Sequence, residues 1–165
     1  MSVFGRGILI RGDSGTGKSE LALELISRGH QLVADDTVRI GRRGDKLYGE
    51  PPSLTSGVIA LNGLGLVYVA AVFGEEALLP GSNIDLCIDL TPAPSRSDHA
   101  LGMRASVDIL GVEVPQIELD VSKVRPGPVV IETAVRLLDR PSALAGSIIA
   151  AEHDDLLIRT PPIPQ

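Results

Sequence analysis

The chain has 165 residues, a formal net charge of −6 and a hydrophobic fraction of 44%. That is enough apolar sequence for one domain with a real core, and it excludes intrinsic disorder. The mildly acidic balance, with no long basic run, argues against a nucleic-acid partner. Aromatic residues are only Phe4, Tyr48, Tyr68 and Phe73, so the core is expected to be aliphatic.

In chain order, Gly7-Ile8-Leu9-Ile10-Arg11 reads as a short apolar strand. Residues 12–19 then read Gly-Asp-Ser-Gly-Thr-Gly-Lys-Ser, the full G-x-x-x-x-G-K-[ST] pattern of a phosphate-binding loop. Gly12 and Gly17 allow a tight turn, and with Gly15 they let backbone N–H groups approach phosphate oxygens. Asp13, Ser14 and Thr16 complete the cradle. Lys18 supplies a point charge for the β- and γ-phosphates, and Ser19 offers a hydroxyl to Mg²⁺. Residues 20–28 follow with apolar positions 21, 22, 25 and 26 at helical spacing, and Gly29 is a natural stop. The loop therefore lies between a strand and a helix, where the helix N-terminus adds partial positive charge.

Gln31-Leu32-Val33-Ala34 reads as a second strand ending in Asp35-Asp36, and residues 37–40 continue extended. A hairpin is expected around Arg42-Arg43-Gly44-Asp45, and Pro51-Pro52 forces an extended exit. Residues 58–61 are short and apolar, 62–65 form a Gly-rich turn, and 66–73 read as strand or short helix. Strands are expected at 84–90, 106–110 and 112–121. The first of these carries Cys87, the single cysteine, on a face with Asp85 and Asp89. It excludes an internal disulfide, fits a reducing compartment and reads as a passive core thiol. Residues 92–98 form a polar, Pro-containing loop, the candidate mobile segment. A helix is expected at 126–139 with Val130, Ala134, Leu137 and Leu138 on one face, and another near 142–152. The tail from Thr160 cannot be helical. No signal peptide or membrane-spanning run is present, so the expected location is cytoplasmic, with no membrane partner.

One strand–loop–helix unit followed mainly by hairpin strands favours an α/β fold with a mixed, largely antiparallel sheet. The expected organisation is a single domain over residues 1–165. About 140–165 would be a C-terminal helix and tail, and no N-terminal regulatory domain would be present.

Asp35 and Asp36 follow the loop closely. A phosphoryl-transfer site needs a carboxylate near Mg²⁺ and often a second near the attacking group. On strand alternation the two point to opposite sides. Asp35 is the choice for the base that takes the acceptor's proton, and Asp36 for metal-linked support, with the reverse order also open. His30 reads as a helix-terminal or surface residue. His99 and His153 join no cluster with metal-ligand spacing.

The stretch from Gly12 to Asp36, with Arg28-Gly29-His30-Gln31-Leu32-Val33-Ala34 before the Asp pair, resembles the catalytic domain of bacterial HPr kinase/phosphorylase. The likeness continues through Gly49-Glu50-Pro51-Pro52, Gly63-Leu64-Gly65-Leu66-Val67, Phe73-Gly74 and Val124-Arg125-Pro126-Gly127. It covers about residues 4–139. It implies a phosphoenolpyruvate carboxykinase-like domain that uses ATP and Mg²⁺ to phosphorylate a serine of the phosphocarrier HPr, and that removes the phosphate by phosphorolysis. It also implies catalytic roles for Lys18 and Asp35, a metal role for Ser19, and a homo-oligomer, a hexamer in the family.

Several positions depart from the family pattern. Ala60 and Asn62 stand where the family has Glu and Arg. Ala100, in His99-Ala100-Leu101-Gly102, stands where it has an active Arg. Pro128 replaces a second Arg, and Arg96 or Arg104 is a candidate to compensate. These losses remove a metal ligand and cations that balance phosphate charge, so weak or absent phosphorylase activity is expected. Three readings remain: an active serine kinase of HPr or an HPr-like carrier, a nucleotide-binding module without turnover, and a small-molecule kinase.

Overall fold

The computed structural model describes residues 1–92, 105–122, 126–140 and 143. Strand β1 (Ser2–Val3) turns back into β2 (Arg6–Gly12), which leads through the glycine-rich loop into helix α1 (Lys18–Ser27). The helix ends where Gly29 takes φ 89° and its N–H bonds Ile26 O at 2.9 Å, a left-handed stop that suits a residue without Cβ. Strands β3 (Arg39–Arg43) and β4 (Lys46–Glu50) form the expected hairpin around Gly44-Asp45. A second hairpin joins β5 (Val58–Leu61) to β6 (Gly65–Tyr68) and runs directly into α2 (Val69–Phe73). So the stretch 66–73 is strand first and helix second. Strand β7 (Ser82–Asn83) pairs with β4. Strands β8 (Leu86–Thr91), β9 (Ala105–Ile109) and β10 (Val112–Asp120) precede helix α3 (Pro128–Leu138).

The main sheet has the order β1-β2-β8-β10-β9. Its centre is parallel, β2 with β8 and β8 with β10, and its two edges are antiparallel. The fold is therefore α/β with a mixed sheet, as expected. Every pairing between strands outside the centre of that sheet is antiparallel among the described residues, the single Leu32–Leu78 bridge being parallel.

Helices α1 and α3 cover one face of this sheet. Leu21, Leu25 and Ile26 of α1 meet Ile8, Leu86, Ile88 and Leu90 of the strands in one aliphatic cluster, with Ile131, Ala134 and Val135 of α3 and Ile59 of β5. Each such side chain, fully buried, contributes ~1.5–3 kcal/mol. Cys87 points to the opposite face and packs with Leu47 and Val114 in a second cluster. Burial pushes its thiol up to about 11, and the positive charge of Arg11 only partly offsets this, which fits a passive thiol. Among the described residues, no helix is long and apolar enough to cross a membrane.

Three expectations need correction. Residues 31–34 form no strand: Gln31 bridges Ser2 and Leu32 bridges Leu78, so the segment is gripped from two sides at single points. The buried face of α3 is Ile131, Ala134 and Val135, while Val130 is 44% exposed. Ala134 and Leu138 of the expected face do pack into the main cluster, while Ile131 and Val135 take the buried places beside them. His30 is helix-terminal but buried, with Phe4 edge-on to its ring at 4.8 Å. The polar loop beyond Pro92, Arg96, His99, Ala100, Arg104, Arg125, His153, the tail, and the helix expected at 142–152 apart from Ala143 lie outside the described residues.

A polar clamp ties α1 to α3. Arg28 makes two hydrogen bonds to Glu132, each 2.7 Å, and His30 Nε2 lies 3.0 Å from the same carboxylate. The Arg28 hydrogen bond, then that of His30, lowers the Glu132 carboxyl from 4.5 to about 2. A depressed carboxylate contributes stability above its unfolded value and loses it as pH falls through the folded one. Glu132→Gln is therefore expected to cost ~0.5–1 kcal/mol at neutral pH, the range of a partly exposed ion pair. In urea melts the gap to wild type should narrow as pH falls from 4.5 toward 2; a gap independent of pH would contradict this assignment.

Candidate functional site

The site is assembled at the carboxyl ends of the parallel strands. A polar ladder ties the three strands together across the sheet. Arg11 on β2 makes a bidentate pair with Asp89 on β8, at 2.6 and 2.7 Å, and Gln116 on β10 donates to the same carboxylate. Burial works to raise the Asp89 carboxyl, but the hydrogen bonds from Arg11 and Gln116 outweigh it and hold the group below its ordinary value. The ion pair thus stands immediately before Gly12, where the chain leaves the sheet.

The loop backbone needs glycine at specific points. Gly17 takes φ 88° and directly precedes α1, which has no side-chain cap. A helix N-terminus that follows directly on a glycine-rich loop is the usual arrangement for holding an anion. A Cβ at Gly12 would lie 2.7 Å from Leu90 O and 2.8 Å from Thr16 Oγ1. Lys18 folds across the loop and donates to Gly12 O at 2.7 Å and Asp13 O at 2.8 Å. Thr16 Oγ1 also donates to Asp13 O, at 2.8 Å. Residues 13–17 with Glu20, Pro92 and Val121 line a pocket open to solvent.

The Asp pair divides in an unexpected way. Ser19 Oγ donates to Asp35 at 2.9 Å from Oδ1 and 3.1 Å from Oδ2, and the Ala60 N–H donates to Asp35 Oδ2 at 3.0 Å. Asp35 is half-buried and fastens α1, the segment after residue 34 and β5 together. Asp36 is exposed, has φ 56°, and makes no side-chain hydrogen bond among the described residues. The segment before it is not a strand, so alternation does not separate the two carboxylates; the left-handed turn at Asp36 does. A second pocket runs from Lys18, Asp35 and Asp36 past Val38 and Gly49 to Ser82 and Asn83.

Asn62 Nδ2 donates to Glu20 Oε1 at 3.3 Å, joining the turn of the second hairpin to the start of α1. The contacts of Ala60 and Asn62 escaped the sequence. The Gly-rich turn at 62–65 is legible, but no residue pattern states which loop it faces. Among the described residues, no group of three His, Cys, Asp or Glu side chains surrounds a metal position. A Ser hydroxyl beside one carboxylate is nonetheless a fitting donor set for Mg²⁺. That ion prefers oxygen, keeps several waters and takes its remaining ligands from phosphate.

A mixed α/β fold with a glycine-rich loop between strand and helix, and a carboxylate on the loop's serine, describes a broad class of phosphate-handling proteins. The comparisons narrow it. The HPr Serine kinase C-terminal domain model matches residues 1–147. The HPr kinase/phosphorylase of Chromobacterium violaceum is 43% identical over 141 residues, covering 82% of this chain and 44% of that protein. That of Burkholderia cenocepacia is 40% identical over 138 residues, covering 82% and 43%. The solved structure of the Hpr(Ser) kinase/phosphatase from Coxiella burnetii superposes with a TM-score of 0.73 at 35% identity, over 82% of this chain and 89% of that one. The chain belongs to the HPr serine kinase C-terminal domain family. It spans less than half the length of the curated relatives it matches.

The loop geometry makes two glycines unequal. Gly15→Ala meets nothing within 4 Å and carries only the penalty of φ 83°, ~1–2 kcal/mol. Gly12→Ala adds a backbone clash on top of its own strain and is expected to cost ~1–3 kcal/mol more. Urea denaturation of the two variants tests this; equal losses would contradict the packing described at Gly12.

Proposed function

We propose that the chain is an ATP- and Mg²⁺-dependent serine kinase that transfers the γ-phosphoryl group to HPr or an HPr-like phosphocarrier. The reading treats residues 1–165 as one phosphoenolpyruvate carboxykinase-like unit that works in the cytoplasm. The observation that carries it is the Ser19–Asp35 hydrogen bond beside the glycine-rich loop and Lys18. Family membership supports the choice of acceptor.

When bound, ATP supplies the phosphoryl group and Mg²⁺ neutralises its oxygens. Gly12, Asp13, Ser14, Gly15, Thr16 and Gly17 offer backbone groups to the phosphates. Lys18, which donates to the loop carbonyls of Gly12 and Asp13, would balance β- and γ-phosphate charge. Ser19 holds the metal side. The contact between Ser19 and Asp35 supports a metal-side role for Asp35 as well. This exchanges the two roles first assigned from the sequence and makes Asp36 the base. Exposed and turned out at φ 56°, Asp36 would take the proton from the acceptor hydroxyl as its oxygen bonds the γ-phosphorus and the bond to the β-phosphate oxygen breaks, releasing ADP.

A second reading, a nucleotide-binding module without turnover, is favoured by one specific observation. Position 60 contributes only its backbone N–H to Asp35, and position 62 an amide to Glu20, where the resemblance implies a Glu and an Arg. The same replacements support weak phosphorylase activity.

Incubation with Mg-ATP and an HPr-like carrier should yield phosphoserine on the carrier. Asp36→Asn is expected to lower the transfer rate ~10²–10⁴-fold, the usual contribution of a positioned base, with nucleotide still bound. Lys18→Ala should abolish transfer. Nucleotide binding without transfer to any carrier would overturn the kinase reading and establish the second.

A further inference from the structure

We propose that the outer face of the β3–β4 hairpin is a docking surface for an acidic face of the protein that receives the phosphoryl group. The proposal rests on the reading of this chain as a kinase with a protein acceptor. Residues 39–46 hold four of the chain's 15 Lys and Arg residues and one of its 21 Asp and Glu residues. The surrounding chain is acidic, with a net charge of −6 overall, so this stretch is a local reversal of sign.

The register sorts the four cations. Ile40 and Arg42 share a face with Leu47 and Gly49, the face that turns toward the second cluster. Arg42 is occupied there, donating to the carbonyls of Gly44, Leu110 and Gly111. Arg39, Arg43 and Lys46 share the other face with Tyr48 and Glu50. All three cations are exposed, and none pairs with a carboxylate among the described residues, whereas Arg6, Arg11 and Arg28 each do. The Arg43 guanidinium lies 3.5 Å over the Tyr48 ring, which fixes it against the sheet. Arg43 also stands directly opposite Lys46. Like charges directly opposite weaken a strand pair. Guarding an edge strand needs charge, but not two cations set against each other. Carboxylates of a partner laid across the pair would relieve that repulsion.

Position selects the acceptor as that partner. Strand β3 begins at Arg39, close behind Asp36 in the chain. Val38 and Gly49 wall the pocket that runs from Lys18, Asp35 and Asp36, so the hairpin borders the site itself. A folded acceptor whose hydroxyl reaches Asp36 brings its adjoining surface to this hairpin. Opposite charge there speeds the encounter and rejects basic competitors.

The test measures binding of a fluorescently labelled HPr-like carrier without nucleotide, so that docking is read apart from transfer. At low salt, wild type should bind it ~10-fold or more tightly than the double variant Arg43→Glu/Lys46→Glu. The difference should vanish near about 1 M salt, where the screening length is about 3 Å. Glu50→Gln, which removes the carboxylate of the same face, should tighten binding. With Mg-ATP, the double variant should raise KM for the carrier and leave kcat unchanged. Circular dichroism checks folding, and Arg39→Glu replaces the double variant if that does not fold. Equal affinity of wild type and the folded variant would overturn the proposal. So would carrier binding indifferent to salt, no binding of the carrier, or a loss of kcat at constant KM. Charge-dependent binding without phosphoserine would overturn the kinase reading and support the docking surface. Phosphoserine formed equally well by wild type and the double variant at sub-saturating carrier would do the reverse.

Discussion

Three parts of the chain meet at one carboxylate. Asp35 takes the Ser19 hydroxyl from α1 and the Ala60 N–H from β5, while its own segment is gripped only at Gln31 and Leu32. A segment without ladder pairing has little to fix its course. Two hydrogen bonds to a half-buried carboxylate, each worth ~1.5–3 kcal/mol when one partner is charged, supply much of that constraint. Losing the carboxylate would leave the loop and the second hairpin without a shared anchor. The turn at Asp36 depends on the same anchor, since its left-handed backbone follows directly.

Behind the carboxylate stands the sheet. Parallel pairing of β2 with β8, and of β8 with β10, sets these strands side by side, and the Arg11–Asp89–Gln116 ladder ties them across the sheet just before Gly12. The aliphatic cluster fixes α1 against the opposite face, so the N-terminus of α1 is aimed by packing and not by a side-chain cap. Rigid sheet, packed helix and glycine loop therefore present their backbone N–H groups in a set direction. Lys18 donates to the carbonyls of Gly12 and Asp13, which holds its positive charge at the loop. The Arg28–Glu132–His30 clamp secures the far end of the same helix.

Local signals carried most of what was legible beforehand. The loop pattern, the helix after it, the first hairpin and the Gly-rich turn of the second follow from spacing and turn residues, and the buried positions 21, 22, 25 and 26 are those the periodicity names. Failures fall where a distant partner decides. Residues 31–34 have strand composition, yet no neighbouring edge pairs with them for more than one residue. His30 looks like a surface residue until Glu132, about a hundred positions away, arrives beside it. The two aspartates are equivalent on paper. Their difference comes from φ 56° at Asp36 and from a hydrogen bond to Ser19, and no spacing rule contains either.

The central claim is that Ser19 and Asp35 act as one unit on the metal side of a nucleotide site. A double-mutant cycle on Mg-nucleotide affinity tests it most directly, using Ser19→Ala, Asp35→Ala and the pair, titrated with and without Mg²⁺. The account predicts strong coupling, ~1–3 kcal/mol, that appears with the metal and fades without it. Single losses that add to within ~0.5 kcal/mol, the behaviour of independent sites, would contradict it.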